Sequence, residues 1–190
     1  MDTIFELGVV KWRIVNNMVF SSVFSFAVCF LFILSGVSKL LALKETVHSF
    51  EKVGFLTIRY SRLIGATLPF LEIIIALIII IFGSNMIVVT IAIILIIIFI
   101  AINFKAMIEN KHESCYCFGK LFPSKTGYGG FLQSTILLFS LVPSLFWNSF
   151  SLHTLTSTTM FVYINVIVFA LFWTITLLLF RVIIETIYTK

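Results

Sequence analysis

The sequence predicts an all-α fold: a polytopic membrane bundle of about five transmembrane helices with a four-helix core, forming a single integral membrane domain over residues 1–190. Three observations carry this expectation. Hydrophobic residues make up 61% of the chain and charged residues only 11%, against about 25% charged in a soluble domain. The mean hydropathy is +1.17. Long stretches hold almost no charge, and runs such as "IIIALIIIIF" leave no polar face to meet water. Lipid offers no partner to a free backbone N–H or C=O, so each span is expected to be a helix. A membrane β-barrel would show short alternating segments instead.

The spans follow from where charge is absent. No charged residue lies between Arg13 and Lys39, which predicts a first span near 18–38. Its segment "SFAVCFLFILSGVSKL" lacks an A-x-A cleavage site and is too long for a signal-peptide core, so it reads as a retained span. Between Arg62 and Lys105 the only charge is Glu72, and that length holds two spans, near 64–82 and 86–104, divided at Gly83-Ser84-Asn85. Between Lys125 and Arg181 there is no Asp, Glu, Lys or Arg. Two further spans are expected there, near 131–147 and 160–180, divided by "NSFSLHTLTSTT". In "KLLALKETVHSFEKVGF", Leu40, Leu43, Val47 and Phe50 recur at three- or four-residue spacing, which predicts an amphipathic helix at the membrane surface.

Alternating spans divide the basic residues unequally. One side receives two of them, Lys11 and Arg13, and the other receives the remaining eleven of the chain's 13. The positive-inside rule places the richer side in the cytoplasm of a plasma-membrane protein. The net charge of +5 is spread through loops, which fits topology rather than a nucleic-acid footprint, so the lipid bilayer and no nucleic acid is the expected partner. Whichever way the chain is inserted, Lys39, His48, Glu72, Asn103, His112, Cys115 and Cys117 fall in the same half of the bundle.

The loop "HESCYCFGK" carries the most specific chemistry. A Cys-x-Cys disulfide closes a small ring and requires Cα atoms within about 4.4–6.8 Å. Strained, exposed disulfides tend to be labile or catalytic. Lys111, His112 and Lys120 flank Cys115 and Cys117 and favour thiolate, while Glu113 opposes them. Gly119 permits a tight return of the chain. Two other readings stand beside redox work: a structural staple or idle thiols, and a metal site. His112, Cys115 and Cys117 offer three ligands with His48 as a fourth, although zinc sites usually space cysteines by two to four residues. Cys29, mid-span, reads as a packing residue too deep for exchange. Glu72 lies at lipid depth after Pro69, where a carboxylate is costly and functional by default. It is expected to handle protons beside the thiols, facing a polar pocket between spans one, two and four, or else to pair with Lys39.

The ordered elements "FILSGVSKL", "LPFLE" and "CYCFG" resemble the methylamine-utilisation MauE family, which is grouped with DoxX-like, redox-associated small membrane proteins. Gly36, Lys39, Pro69, Glu72, Cys115, Cys117, Phe118 and Gly119 match its pattern across roughly residues 20 to 120. Two departures stand out. Tyr116 replaces a common glycine, and "GGFLQSTILL" enters the fourth span where members often carry Arg-Asn. The resemblance implies thiol or disulfide maturation of exported proteins with a thioredoxin-like partner. The catalytic set would be Cys115, Cys117, Glu72 and His112, supported by Gly36, Lys39, Pro69, Phe118 and Gly119. A cytoplasmic cysteine pair would need Cys29, a quinone or movement of the loop to complete a relay across the membrane. The competing function is a non-enzymatic accessory, immunity or assembly protein whose cysteines are structural.

Overall fold

The computed structural model describes residues 2–53, 57–108, 114–115, 124–125, 128–147, 149 and 160–188. Among these residues the chain forms α1 (Asp2–Leu41), α2 (Leu43–Val53), α3 (Ile58–Phe82), α4 (Met86–Ile108), β1 (Ser114–Cys115), β2 (Ser124–Lys125), α5 (Tyr128–Phe146) and α6 (Met160–Tyr188). Five of the helices are long and apolar enough to cross a membrane, at Asn16–Leu41, Ile58–Phe82, Met86–Ile108, Tyr128–Phe146 and Met160–Ile184. The predicted spans are all present. Their charged ends extend further than expected, with Arg59, Lys105 and Arg181 inside helices. Charge limits the apolar slab, whereas backbone hydrogen bonding carries the helix beyond it.

The first span is the axis of the bundle. Half of its most apolar window is buried, against 28% for α4 and α6. It packs on α3, α5 and α6, while α4 packs chiefly on α5. The main core joins Val28, Cys29, Leu31 and Phe32 of α1, Ile75, Ala76 and Ile79 of α3, Ala92, Leu95 and Ile96 of α4, and Leu137 and Leu141 of α5. Leu177 of α6 completes it, so the predicted four-helix core is present with the last span laid against it. A second cluster of Phe26, Ala27, Tyr163, Val166 and Ala170 fastens α6 to α1. Outward positions on α3, among them Phe70, Ile74, Leu77 and Ile81, stay exposed at helical spacing, as a lipid-facing surface requires.

Small residues set the close approaches. Gly36 of α1 lies against α3 so tightly that a Cβ there would sit 2.7 Å from Ile73 Cγ1 and 2.9 Å from the Pro69 carbonyl oxygen. Without a hydrophobic drive between helices in lipid, such contact is what holds spans together. The predicted amphipathic helix is α2, and it begins at Leu43 rather than at the start of the motif. Leu40 belongs to α1. Val47 and Phe50 pack against Gly65 of α3, where an added Cβ would meet Val47 Cα at 3.0 Å, while Lys44 and His48 face outward.

At the other end of the bundle the loops are tied by hydroxyls. The Ser84 backbone N–H donates to Ser149 Oγ at 2.8 Å, and the Ser149 N–H donates to Ser84 Oγ at 2.7 Å. Gly83 closes α3 at φ 81°, a left-handed conformation that favours glycine, and donates to the Ile79 carbonyl. Gly36→Val should destabilise the chain by about 1–3 kcal/mol, because the obstruction includes a backbone oxygen that has no rotamer to escape into. Denaturant titration in detergent checks this; an unshifted midpoint would mean that α1 and α3 are not in this contact.

Candidate functional site: a buried ion pair beside a polar cavity

Gly36 and Lys39 are an i,i+3 pair on α1, and Pro69 and Glu72 are an i,i+3 pair on α3. Residues at that spacing share a helix face. α1 and α3 run antiparallel, so from the Gly36–Pro69 contact Lys39 lies toward the β1/β2 end of the bundle and Glu72 toward its middle, and the long lysine side chain reaches the carboxylate across the seam that Gly36 keeps narrow. Lys39 Nζ donates to Glu72 Oε1 in a direct ion pair. The two side chains are 2% and 0% exposed. The Phe99 ring of α4 lies beneath the ammonium, with its centroid 4.4 Å from Nζ. Ser35 interacts with the same carboxylate. Pro69 has no N–H, so the Gly65 carbonyl loses its usual helical partner at the point where α2 packs.

A single charge at the centre of a span costs about 2.5–3.5 kcal/mol on insertion scales. Here each charge compensates the other, and the ring adds cation–π attraction to the lysine. Of the two roles expected for Glu72, pairing with Lys39 is realised in the geometry. The expected polar pocket is displaced, however. A cavity of about 50 Å³ lies between α1, α4, α5 and α6, and its wall includes Lys39, Asn103, Gln133, Ser134 and Arg181 but not Glu72. The reason is that Lys39 lies across the approach to the carboxylate, which leaves Glu72 behind it.

Arg181 and Gln133 were not singled out by the sequence reading. Arg181 Nη1 donates to Gln133 Oε1 at 2.9 Å, with both side chains about 5% exposed or less. Arg181 entered the expectation only as a basic residue of the C-terminal segment. It lies inside the last span, as Lys39 lies inside the first, so these two residues of the basic side face the protein interior. An arginine within a span, with a glutamine at similar depth on its neighbour, is the signal that would have found the pair. Asn103, expected in this half, is there: its Nδ2 donates to the Phe99 carbonyl at 2.8 Å. Gly130 provides the room for it, since an added Cβ would collide with the Asn103 amide.

The cysteine motif is only partly in view. Cys115 lies in β1, paired antiparallel with β2 in the register Ser114↔Lys125 and Cys115↔Ser124. The first strand lies near α2 and the second near α6, at the same end of the bundle as Lys39. His112, Cys117, Phe118 and Gly119 lie outside the described residues. Cys29 is fully buried in the apolar core, as expected of a packing residue. His48 is exposed, with Nδ1 3.6 Å from Glu51, which also accepts from Arg62 Nε at 3.0 Å. Among the described residues, no group of three or more His, Cys, Asp or Glu gathers as a metal site.

Fold and site together define a multi-pass helical membrane protein with a paired lysine and glutamate between its first two spans. The family model of methylamine utilisation protein MauE matches residues 17–148, and the chain belongs to that family. No curated protein and no solved structure matches the chain. The matched region ends before α6, so Arg181 reaches into the site from a helix beyond it. It contacts the same "GGFLQSTILL" segment in which the Arg-Asn pair is missing.

Removing one member of a buried pair strands the other and costs about 3–5 kcal/mol. Glu72→Gln alone should therefore lower stability by that order. Lys39→Met combined with Glu72→Gln should recover most of the loss, because no charge is then left unmatched. Unfolding titrations of the two single variants and the double variant measure this coupling; additive losses would exclude it.

Proposed function

We propose that the chain is a membrane thiol–disulfide oxidoreductase, or an accessory to one, that passes redox equivalents through Cys115 and Cys117 to a thioredoxin-like partner in the maturation of exported proteins. The observation that carries this reading is convergence. The strand bearing Cys115 stands at the same end of the bundle as the buried Lys39–Glu72 pair. Oxidation of the Cys115–Cys117 dithiol forms one S–S bond and releases two electrons and two protons. The partner's disulfide accepts both electrons and both protons as it opens to a dithiol. Electrons leave through the sulfur atoms, so the protons need nearby carriers, and His112 and Glu72 are assigned that role. Gly36 and Pro69 set the helix contact that positions Lys39 and Glu72, while Phe118 and Gly119 shape the cysteine loop. The eleven-to-two distribution of basic residues supports a cytoplasmic cysteine loop in the plasma membrane.

Two measurements test this reading. Alkylation-shift gels after pulses of oxidant and reductant should resolve a dithiol and a disulfide form of Cys115 and Cys117. Full cellular activity in both Cys115→Ser and Cys117→Ser would instead leave the cysteines a structural part. For orientation, a membrane-impermeant maleimide should label the reduced pair only after the cytoplasmic face is opened. Labelling in intact cells would reverse the assignment.

A further inference from the structure

The cavity beside the ion pair has a wall that is polar and incompletely satisfied. Gln133 is 4% exposed, and its Oε1 accepts from Arg181, but its Nε2 has no protein partner among the described residues. Asn103 is 5% exposed, and its Nδ2 is taken by the Phe99 carbonyl, but its Oδ1 likewise has no protein partner. Both residues line the cavity. A buried donor and a buried acceptor are thus left open on one small space. Such groups are rarely orphaned in folded proteins, and ordered water is the usual partner.

The chemistry of the wall selects among ligands. An anion would satisfy Gln133 Nε2 but meet Asn103 Oδ1 with like polarity. A cation would do the reverse, beside Lys39 and Arg181. A planar ring is too large, since an apolar cavity of about 150 Å³ is what holds benzene and this one is about 50 Å³. Water both donates and accepts. At about 10–15 Å³ of such volume per molecule, the space takes about three to five.

The cavity is also graded along the bundle. Lys39, Asn103, Gly130 and Arg181 stand toward the helix ends that face β1 and β2, whereas Leu31, Phe32 and Leu137 form the deep wall. Beyond that wall Cys29, Ile79, Ile96 and Leu141 are fully buried, and the nearest polar groups are neutral and paired, Ser140 with Trp173 Nε1 and Ser25 with Ser144. We propose that this cavity is an internal water site that gives the Lys39–Glu72 pair proton exchange with the cysteine-loop end of the bundle and with that end alone. Lys39 lines the water and Glu72 does not, so the ammonium is the group that exchanges a proton with the bound water. Glu72 is reached through it. The ionisable groups at the site are Lys39 of α1, Glu72 of α3 and Arg181 of α6; α4 and α5 contribute the amides of Asn103 and Gln133.

This assignment deepens the proton role given to Glu72 under the thiol reading, but its test reads hydration and not turnover, so either can fail alone. In a full-length Cys115→Ser/Cys117→Ser background, Ser134→Cys places a thiol in the cavity wall and Leu141→Cys places one in the dry core of the same helix. A thiol proton exchanges with solvent only where water reaches it. In proteoliposomes transferred to heavy water, the S–H stretch of Ser134→Cys should give way to S–D at least about ten-fold faster than that of Leu141→Cys. Equal rates would overturn the proposal. Unmutated protein gives the second readout. Solid-state NMR in bilayers should show magnetisation transfer from water to Gln133 Nε2, and a side chain with no water contact would overturn the proposal regardless of how the cysteine variants fold.

Discussion

The Lys39–Glu72 ion pair is the constraint on which the rest of the bundle depends. Neither charge is tolerable alone at this depth, so α1 and α3 must meet in the one register that joins them. That register requires a residue without a Cβ at position 36, and it sets Pro69 opposite. It also fixes how α2 returns. By the 1.5 Å helical rise, Glu72 lies about 10 Å further along α3 than Gly65, where Val47 and Phe50 dock. The surface helix and the buried pair are therefore registered to one another through a single span. Buried ion pairs add little net stability over a well-packed apolar core, and their recognised use is to specify one arrangement over others. In lipid, where apolar faces do not discriminate between partners, that specification matters more.

The two ends of the bundle differ in kind. At the end bearing β1 and β2, helices α1, α3 and α6 contribute charge, with amides from α4 and α5. At the opposite end the contacts are neutral hydroxyls: Ser21 Oγ donates to the Trp147 carbonyl at 2.8 Å, Ser25 bonds Ser144, and Ser84 and Ser149 bond reciprocally. Between them lies the apolar layer around Cys29. Hydroxyls hold helices together without the desolvation cost of charge, whereas titratable groups can change state. Among the described residues, the buried charged side chains Lys39, Glu72 and Arg181 thus lie at one end, and the buried polar contacts at the other are hydroxyls. Cys29 is fully buried in the middle layer.

Much of this was legible in the sequence because the bilayer restricts the alternatives. Uncharged runs bounded by Arg13, Lys39, Arg62, Lys105, Lys125 and Arg181 located five spans, since a membrane helix needs length and apolarity more than any local propensity. Alternation of direction then put Lys39, Glu72 and Asn103 in one half without knowledge of packing. What the sequence did not reveal depends on rotation about the helix axes. The position of Arg181 was read as a boundary charge, and Gln133 passed as one polar residue among serines. Their contact is set by how α5 and α6 turn toward α1, which no period in such uniformly apolar helices records. The same limit displaced the pocket: depth along the bundle was readable, but which spans enclose it was not.

The most direct test of the account is the distance between Lys39 and Glu72 in a lipid bilayer. Dipolar recoupling between 15Nζ of lysine and 13Cδ of glutamate, with the Lys39→Met/Glu72→Gln double variant as the subtraction control, isolates that one pair. The account predicts the strong coupling of a direct ammonium–carboxylate contact, lost in the control. A signal identical in the wild type and the control would show that the two charges are apart, and with them the register on which the site is built.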